Sequence, residues 1–248
     1  SMNRTGIARA GRAAQLLLSM ENEGKTRDPA GHEGGNDGGQ RGCVAVTGAT
    51  GFVGGHIVRR LVDEGYSVRA LVRSTARARD RFPTALLNSK AITLSGGSLS
   101  DPDALNALVR GCVACIHLVG IIRQGRGQRF ETVHVDGVRS LVNACKDHNP
   151  AMRLVHMSAL GVGPDPRGGY RDTKHRGAQV VRTSSLKWTI VRPGLIHGPD
   201  GEFTRMCVDW ARGRRVPYLF MPYFSRWKRG GFGFEAPSVA PVFVEDVA

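Results

Sequence analysis

The stretch Val44–Leu61, V-A-V-T-G-A-T-G-F-V-G-G-H-I-V-R-R-L, decides how the chain folds. An apolar, β-branched run from Cys43 to Thr47 stops at Gly48, and Val53, Ile57, Val58 and Leu61 then recur at helical spacing. The order predicts a strand, a glycine turn and a helix. Gly48, Gly51 and Gly54 stand three residues apart. In such a turn the first glycine adopts angles a side chain forbids, the second lets the main chain approach a pyrophosphate, and the third lets helix and strand pack closely. The helix N-terminus offers free N–H groups and a partial positive charge to phosphates, so the stretch points to nucleotide binding.

With 248 residues there is room for one α/β domain with a sizeable core and a small appended lobe. No apolar run approaches the ~20 residues of a membrane span. The five cysteines, 43, 112, 115, 145 and 207, are an odd number lying mostly in apolar runs. That pattern favours buried free thiols in a reducing compartment over a disulfide framework, and a cytoplasmic or membrane-peripheral protein. Cys112 and Cys115 make a C-x-x-C, but no second pair follows and the motif runs into an expected strand, so no metal site is expected. The net charge of +14 sits on the body: residues 1–41 hold six basic against five acidic residues, the remainder 29 against 16. Such a surplus attracts polyanions, acidic membranes and phosphorylated ligands without choosing among them.

Ser1 ahead of Met2 reads as a cloning remnant. Residues 24–42 contain seven glycines in nineteen positions and almost no large apolar residue, so disorder is expected over the extension 1–41. Arg4, Arg9, Arg12 and Leu16–Leu18 faintly resemble a transit peptide, but a plain disordered tail is the preferred reading.

Beyond the glycine turn, Ser67–Arg73 reads as a second strand. An acidic residue near the end of this strand would hold the ribose hydroxyls of NAD, whereas arginine accepts the 2′-phosphate of NADP. The strand ends in Arg73 and Ser74, with no Asp or Glu from Ser67 to Arg79, so NADP(H) is expected over NAD(H); the alternative is a solvated surface charge. Ala91–Ser95 reads as a third strand, followed by a helix capped by Ser100 with Asp103 three residues on. Val113–Val119 reads as a fourth strand, Phe130–Asp147 as a helix, Met152–Ser158 as a fifth strand and Leu186–Arg192 as a sixth. His134 and Asp136 are tempting catalytically but read as a packing and a surface residue.

Ser158 arrives at the carboxyl edge of the sheet, where open α/β folds bind ligands. Twelve residues on, Tyr170-Arg171-Asp172-Thr173-Lys174 opens a helix whose i, i+4 spacing puts Tyr170 and Lys174 on one face. A phenol titrates near ~10, so it exchanges protons at neutral pH only where a cation stabilises the phenolate. Lys174 and an oxidised nicotinamide would supply that field, and Ser158 would hydrogen-bond a substrate oxygen.

T-G-A-T-G-F-V-G (47–54), the later Y-x-x-x-K and their order resemble the short-chain dehydrogenase/reductase superfamily in its extended or atypical branch. H-V-D-G, S-A-L-G, Y-x-x-T-K, W-T-I-V-R-P-G-x-I-H-G-P-D and P-V-F-V-E-D-V-A together resemble most the branch containing the nucleotide-binding accessory subunit of respiratory complex I and its bacterial homologues, over Cys43–Ala248. The resemblance implies a doubly wound (Rossmann) parallel α/β sheet over 42–192 with a small irregular C-terminal substrate lobe over 193–248. It implies Ser158 as substrate-orienting hydroxyl, Tyr170 as general acid/base and Lys174 as ribose binder and modulator of the phenol. It further implies a cofactor-binding set of Gly48, Thr50, Gly51, Phe52, Val53, Gly54, Arg73, Ser74, Gly120, Tyr170, Lys174, Pro193 and Gly194. The Gly-Asp pair that contacts adenine in related reductases is Gly97-Ser98 here. In relatives the closing Val244–Ala248 run starts another helix, so a truncated lobe is expected.

From Arg205 to Arg229 seven basic residues face one acid, Asp209, with aromatic residues interleaved. A substrate loop with a hydrophobic lining is the preferred reading; an acidic membrane or protein partner is the alternative, and no specific nucleic acid is expected. Two functions stay open: hydride transfer between NADPH and a small carbonyl or quinone-like substrate, and non-catalytic NADPH binding in an accessory or assembly protein.

Overall fold

The computed structural model describes residues 41–125, 127–214, 226–227, 234–235 and 240–248. All of the expected extension 1–41 but Arg41, and most of the basic-aromatic segment 205–229 beyond Arg214, lie outside these residues. Strands β1 (Cys43–Thr47), β2 (Ser67–Val72), β3 (Ile92–Gly96), β4 (Cys112–His117), β5 (Arg153–Met157) and β6 (Lys187–Val191) form one six-stranded sheet in the order β3-β2-β1-β4-β5-β6. Every pairing is parallel. Parallel neighbours need crossovers, and these are supplied by α1 (Phe52–Asp63), α2 (Thr75–Arg79), α3 (Thr84–Asn88), α4 (Pro102–Val109), α5 (Gly137–His148) and α6 (Tyr170–Arg182). This is the doubly wound, Rossmann-like architecture. The strand order reverses between β1 and β4, which opens a ligand crevice at their carboxyl ends.

Alternation along the strands splits the core in two. Val44, Val46, Ile116 and Val155 pack with Ile57, Val58 and Leu61 of α1. Ala45, Cys115 and Leu154 pack with Leu105 and Leu108 of α4, Leu141 of α5 and Val181 of α6. Each fully buried large aliphatic side chain contributes about 1.5–3 kcal/mol. Burial on both faces explains why β1 reads as a continuous apolar run rather than an alternating one.

Two local expectations are corrected. The cap of α4 is Asp101, whose carboxylate accepts from the Ala104 amide at 3.1 Å, not Ser100. Pro102 occupies the first helical position, which makes its predecessor the cap. The helix expected over 130–147 is interrupted by a π-helical turn, Thr132–Asp136, before α5 begins. The wider turn brings Val133, His134 and Val135 all into the interior.

After β6 the chain forms β7 (Leu195–His197), α7 (Glu202–Ala211), the two-residue ribbon strands β8 (Arg226–Trp227) and β9 (Phe234–Glu235), β10 (Pro241–Phe243) and α8 (Val244–Val247). Strand β10 pairs in parallel with β7. The segment is seated on the nucleotide-binding half: α8 packs against α1, Val244 and Val247 are buried, and His56 Nδ1 lies 2.7 Å from Glu245 Oε1. Among the described residues no helix is long and apolar enough to cross a membrane.

Candidate active site

A cavity of about 400 Å³ opens at the carboxyl ends of β1, β4 and β5. Its floor is the glycine turn. Gly48 has φ of +78°, and a Cβ there would stand 3.1 Å from the main chain of Leu118 and Val119. The Gly51 amide donates to the Gly48 carbonyl at 3.0 Å, closing the turn, and Gly51 is the residue from which α1 departs. No side chain caps the first turn of α1, so its N–H groups are available to an anion. A Cβ on Gly54 would drive into the Gly48 carbonyl oxygen. A dinucleotide pyrophosphate fits this main-chain cradle. Phe52 and Val53 also line the cavity. The loop of Gly198 and Gly201 lies against the Phe52 ring, so the C-terminal segment walls the crevice.

Ser158, Tyr170 and Lys174 line the same cavity, together with Gly120, Pro193 and Gly194. Ser158 follows β5 directly; its amide donates to Val191 of β6 at 2.8 Å, and its buried hydroxyl has no partner among the described residues. Tyr170 begins α6, and its ring meets His134 and Phe130 edge-on at centroid distances of 5.6 and 6.0 Å. Lys174, one turn on, is 5% exposed and its Nζ donates to the Met157 carbonyl at 2.7 Å. Burial pulls its ammonium down to about 8. The phenol does not show the lowering expected from a neighbouring lysine: burial raises Tyr170. The Tyr170 hydroxyl therefore keeps its proton at neutral pH. Three residues of the expected binding set, Thr50, Arg73 and Ser74, do not line the cavity. Thr50 is exposed, Arg73 is exposed just past β2, and Ser74 caps α2 by accepting from the Arg77 amide at 3.4 Å.

Reading the sequence missed the histidines beneath this site. Thr47, His117 and His156 are lateral neighbours on β1, β4 and β5, all buried. The two imidazoles stack at 5.3 Å with an interplanar angle of 9°, and Thr47 Oγ1 lies 2.7 Å from His117 Nδ1. Desolvation holds both neutral, His156 down to about 3 and His117 well below its ordinary value. His134 is a packing residue as expected, but it also joins three parts of the site. Its Nε2 accepts from the Ile121 amide at 3.1 Å and its Nδ1 lies 3.0 Å from Thr173 Oγ1, whose hydroxyl donates to the Gly169 carbonyl. Those partners assign the proton to Nδ1, and burial lowers the ring to about 4, keeping it neutral. Asp136 is a surface residue, paired with Arg139 at 3.1 Å. Two histidines, His117 at the end of β4 and His156 one residue before the end of β5, in otherwise apolar runs, were the signal available.

A family model described as NAD(P)H-binding matches residues 48–210. The chain belongs to this NAD(P)H-binding, short-chain dehydrogenase/reductase-like family. Within it, the chain is 32% identical over 209 residues to a ceramide reductase of Caulobacter vibrioides, covering 84% of this chain and 59% of that protein. It is 29% identical to the mitochondrial NADH-ubiquinone oxidoreductase 40 kDa subunit of Neurospora crassa, over 62% of this chain and 40% of that one. The fold matches the Bordetella bronchiseptica enzyme WbmH, solved in complex with NAD+, with a TM-score of 0.63 and 20% identity over 82% of this chain and 68% of that one. The chain thus spans about half the length of the curated relatives named here. The family includes both reductases and a respiratory-complex subunit, in agreement with the branch the sequence motifs resemble.

Proposed function

We propose that this protein is an NADP(H)-dependent oxidoreductase that reduces a carbonyl or quinone-like group on a small molecule. The observation that carries the reading is the convergence of Ser158, Tyr170 and Lys174 on the cavity floored by the glycine turn. The bound dinucleotide supplies the hydride. Ser158 Oγ orients the substrate oxygen, and Tyr170, protonated at neutral pH, gives that oxygen its proton. Lys174 fixes the β5 edge through Met157 and places a cation one helical turn from the phenol, which stabilises the phenolate left behind. Similarity to a ceramide reductase makes a lipid such as ceramide a substrate to test beside simple aldehydes, ketones and quinones.

The second reading is a non-catalytic NADPH-binding accessory protein. It is favoured by the similarity to the 40 kDa subunit and by the absence, among the described residues, of any charge lowering Tyr170. NADPH binding and NADPH oxidation, measured together on wild type and Tyr170→Phe, separate the two. The expected result is unchanged binding and turnover reduced at least about 100-fold in the variant, the span general acid catalysis provides. Tight binding by both proteins without turnover of any substrate gives the accessory reading instead.

NADP(H) preference rests on Arg73, since a guanidinium pairs a 2′-phosphate in a fork and the sequence carries no Asp or Glu from Ser67 to Arg79 to repel it. Arg73→Ala is expected to weaken NADPH binding about tenfold or more while leaving NADH within about twofold. Titration of both dinucleotides checks this; equal losses for the two would refute the role. Partner or membrane contact through 205–229 is part of the proposal, tested by vesicle co-sedimentation.

A further inference from the structure

The amino edge of the sheet, opposite the cavity, carries a feature that dinucleotide chemistry does not use. Cys43 opens β1 and Cys112 opens β4, and the two are direct lateral partners. Cys112 Sγ lies 3.3 Å from Cys43 Sγ and 3.4 Å from the Leu108 carbonyl, both within reach of its S–H. The C-x-x-C visible in the sequence is therefore not the pair: Cys115 is fully buried and meets Cys145 of α5, also fully buried.

The surroundings of Cys43 and Cys112 differ in a way that assigns them separate roles. Cys43 is partly exposed, Cys112 2% exposed. Cys43 receives the Cys112 hydrogen bond, stands beside Ser67 of β2 and lies in the field of Arg69, which together draw its thiol down to about 6. The Arg69 guanidinium is fixed there by the Ala107, Leu108 and Arg110 carbonyls at 3.0, 3.0 and 2.6 Å. Cys112 is held protonated by donating to Cys43 and by burial, with Cys145 the other thiol acting on it. A partly exposed, acidified thiol 3.3 Å from a sheltered one is the arrangement of an attacking and a resolving cysteine.

We propose that Cys43 and Cys112 form a peroxide-oxidisable pair in which Cys43 is oxidised first and Cys112 closes a disulfide between β1 and β4. The Cys43 thiolate attacks one oxygen of a hydroperoxide; the O–O bond breaks, the alkoxide or hydroxide leaves and takes a proton from water, and Cys43 becomes a sulfenic acid. The Cys112 sulfur then attacks Cys43 Sγ; the S–S bond forms as the S–O bond breaks, and the hydroxyl leaves as water with the Cys112 proton. Two thiols are oxidised by two electrons in total and one peroxide is reduced. Neighbouring strands lie about 4.8 Å apart, within the Cα separation a disulfide spans.

One equivalent of hydrogen peroxide on the full chain, followed by intact-mass and tryptic analysis, tests the pair. Expected are a loss of about 2 Da and a link between peptides 42–59 and 111–123 that dithiothreitol reverses. The link persists in Cys115→Ala and disappears in Cys112→Ala, where dimedone traps Cys43 as the sulfenic acid. Iodoacetamide labelling of peptide 42–59 should be half-maximal near pH 6, against about 8.5 for an ordinary cysteine. An unmodified peptide 42–59 while Cys207 is oxidised, or a link that survives in Cys112→Ala, overturns the proposal. Dinucleotide binding is read in the same samples, so failure here is distinguishable from failure of the oxidoreductase reading.

Discussion

Gly54→Ala is expected to raise the NADPH dissociation constant at least about 100-fold, a loss near 2.7 kcal/mol, and to lower thermal stability. The single added methyl would enter the Gly48 carbonyl oxygen and stand 2.8 and 2.9 Å from Ala49 Cα and carbonyl carbon. These are main-chain atoms of a turn with no room to retreat. Ala49 is fully buried, Gly48 backs onto Leu118 and Val119, and the Gly51 amide already holds the Gly48 carbonyl at 3.0 Å. Helix α1 must therefore lift from β1, a cost of overpacking of about 1–3 kcal/mol, and its N-terminal N–H groups leave the position that meets a pyrophosphate. Gly55→Ala is the control, since a Cβ at Gly55 meets nothing within 4 Å. It should bind normally and gain about 0.5–1 kcal/mol of helix stability. Calorimetric titration with NADPH and thermal unfolding of both variants decide the matter; binding by Gly54→Ala within threefold of wild type would mean the cradle is not where the dinucleotide sits.

Most of the fold was legible because its signals are local. A glycine turn between an apolar run and an amphipathic helix, and five further apolar runs separated by helical spacing, lead to the six parallel strands, with ends misplaced by a residue or two. Those ends depend on partners across the sheet. Ser158 reads as strand, yet its amide is taken by Val191 after β5 has closed at Met157. The π-helical turn was not legible, since nothing in Thr132–Asp136 departs from ordinary helical composition; it lies where α6 comes close, a Cβ on Gly177 meeting the His134 carbonyl. At the site, residue types and spacing brought Ser158, Tyr170 and Lys174 together, but their electrostatics came from burial, which spacing does not report. His117 with His156, and Cys43 with Cys112, are neighbours only through strand register. A C-x-x-C in one strand drew attention to the wrong sulfur pair because pairing across β1 and β4 is invisible in a linear reading.

Lys174→Met is expected to reduce turnover by about 10³-fold without a matching loss of stability, and the sign of its pH dependence makes the test specific. Burial brings the Lys174 ammonium from 10.5 to about 8, so between those values the unfolded chain holds more protons than the folded one and stability rises with pH. Below about pH 8 the full cost is in place, about 3 kcal/mol for a group this deeply buried. Methionine removes that cost and fills similar volume, but leaves the Met157 carbonyl without its donor, a penalty of about 1–3 kcal/mol. The two effects nearly cancel, so at pH 7 the variant should unfold within about 2 kcal/mol of wild type or be more stable. The difference between wild type and variant should then move toward wild type as pH is raised from 8 to 10.5. Wild-type reductive turnover should fall earlier, as pH rises through about 8, where Lys174 in the folded protein loses its proton. Urea unfolding across this pH range together with NADPH oxidation provides both readouts. A variant that is several kcal/mol less stable at pH 7, with no change in the difference on raising the pH, would make Lys174 a structural brace. Loss of turnover with stability kept would instead support the role proposed for this buried cation at the edge of the cavity.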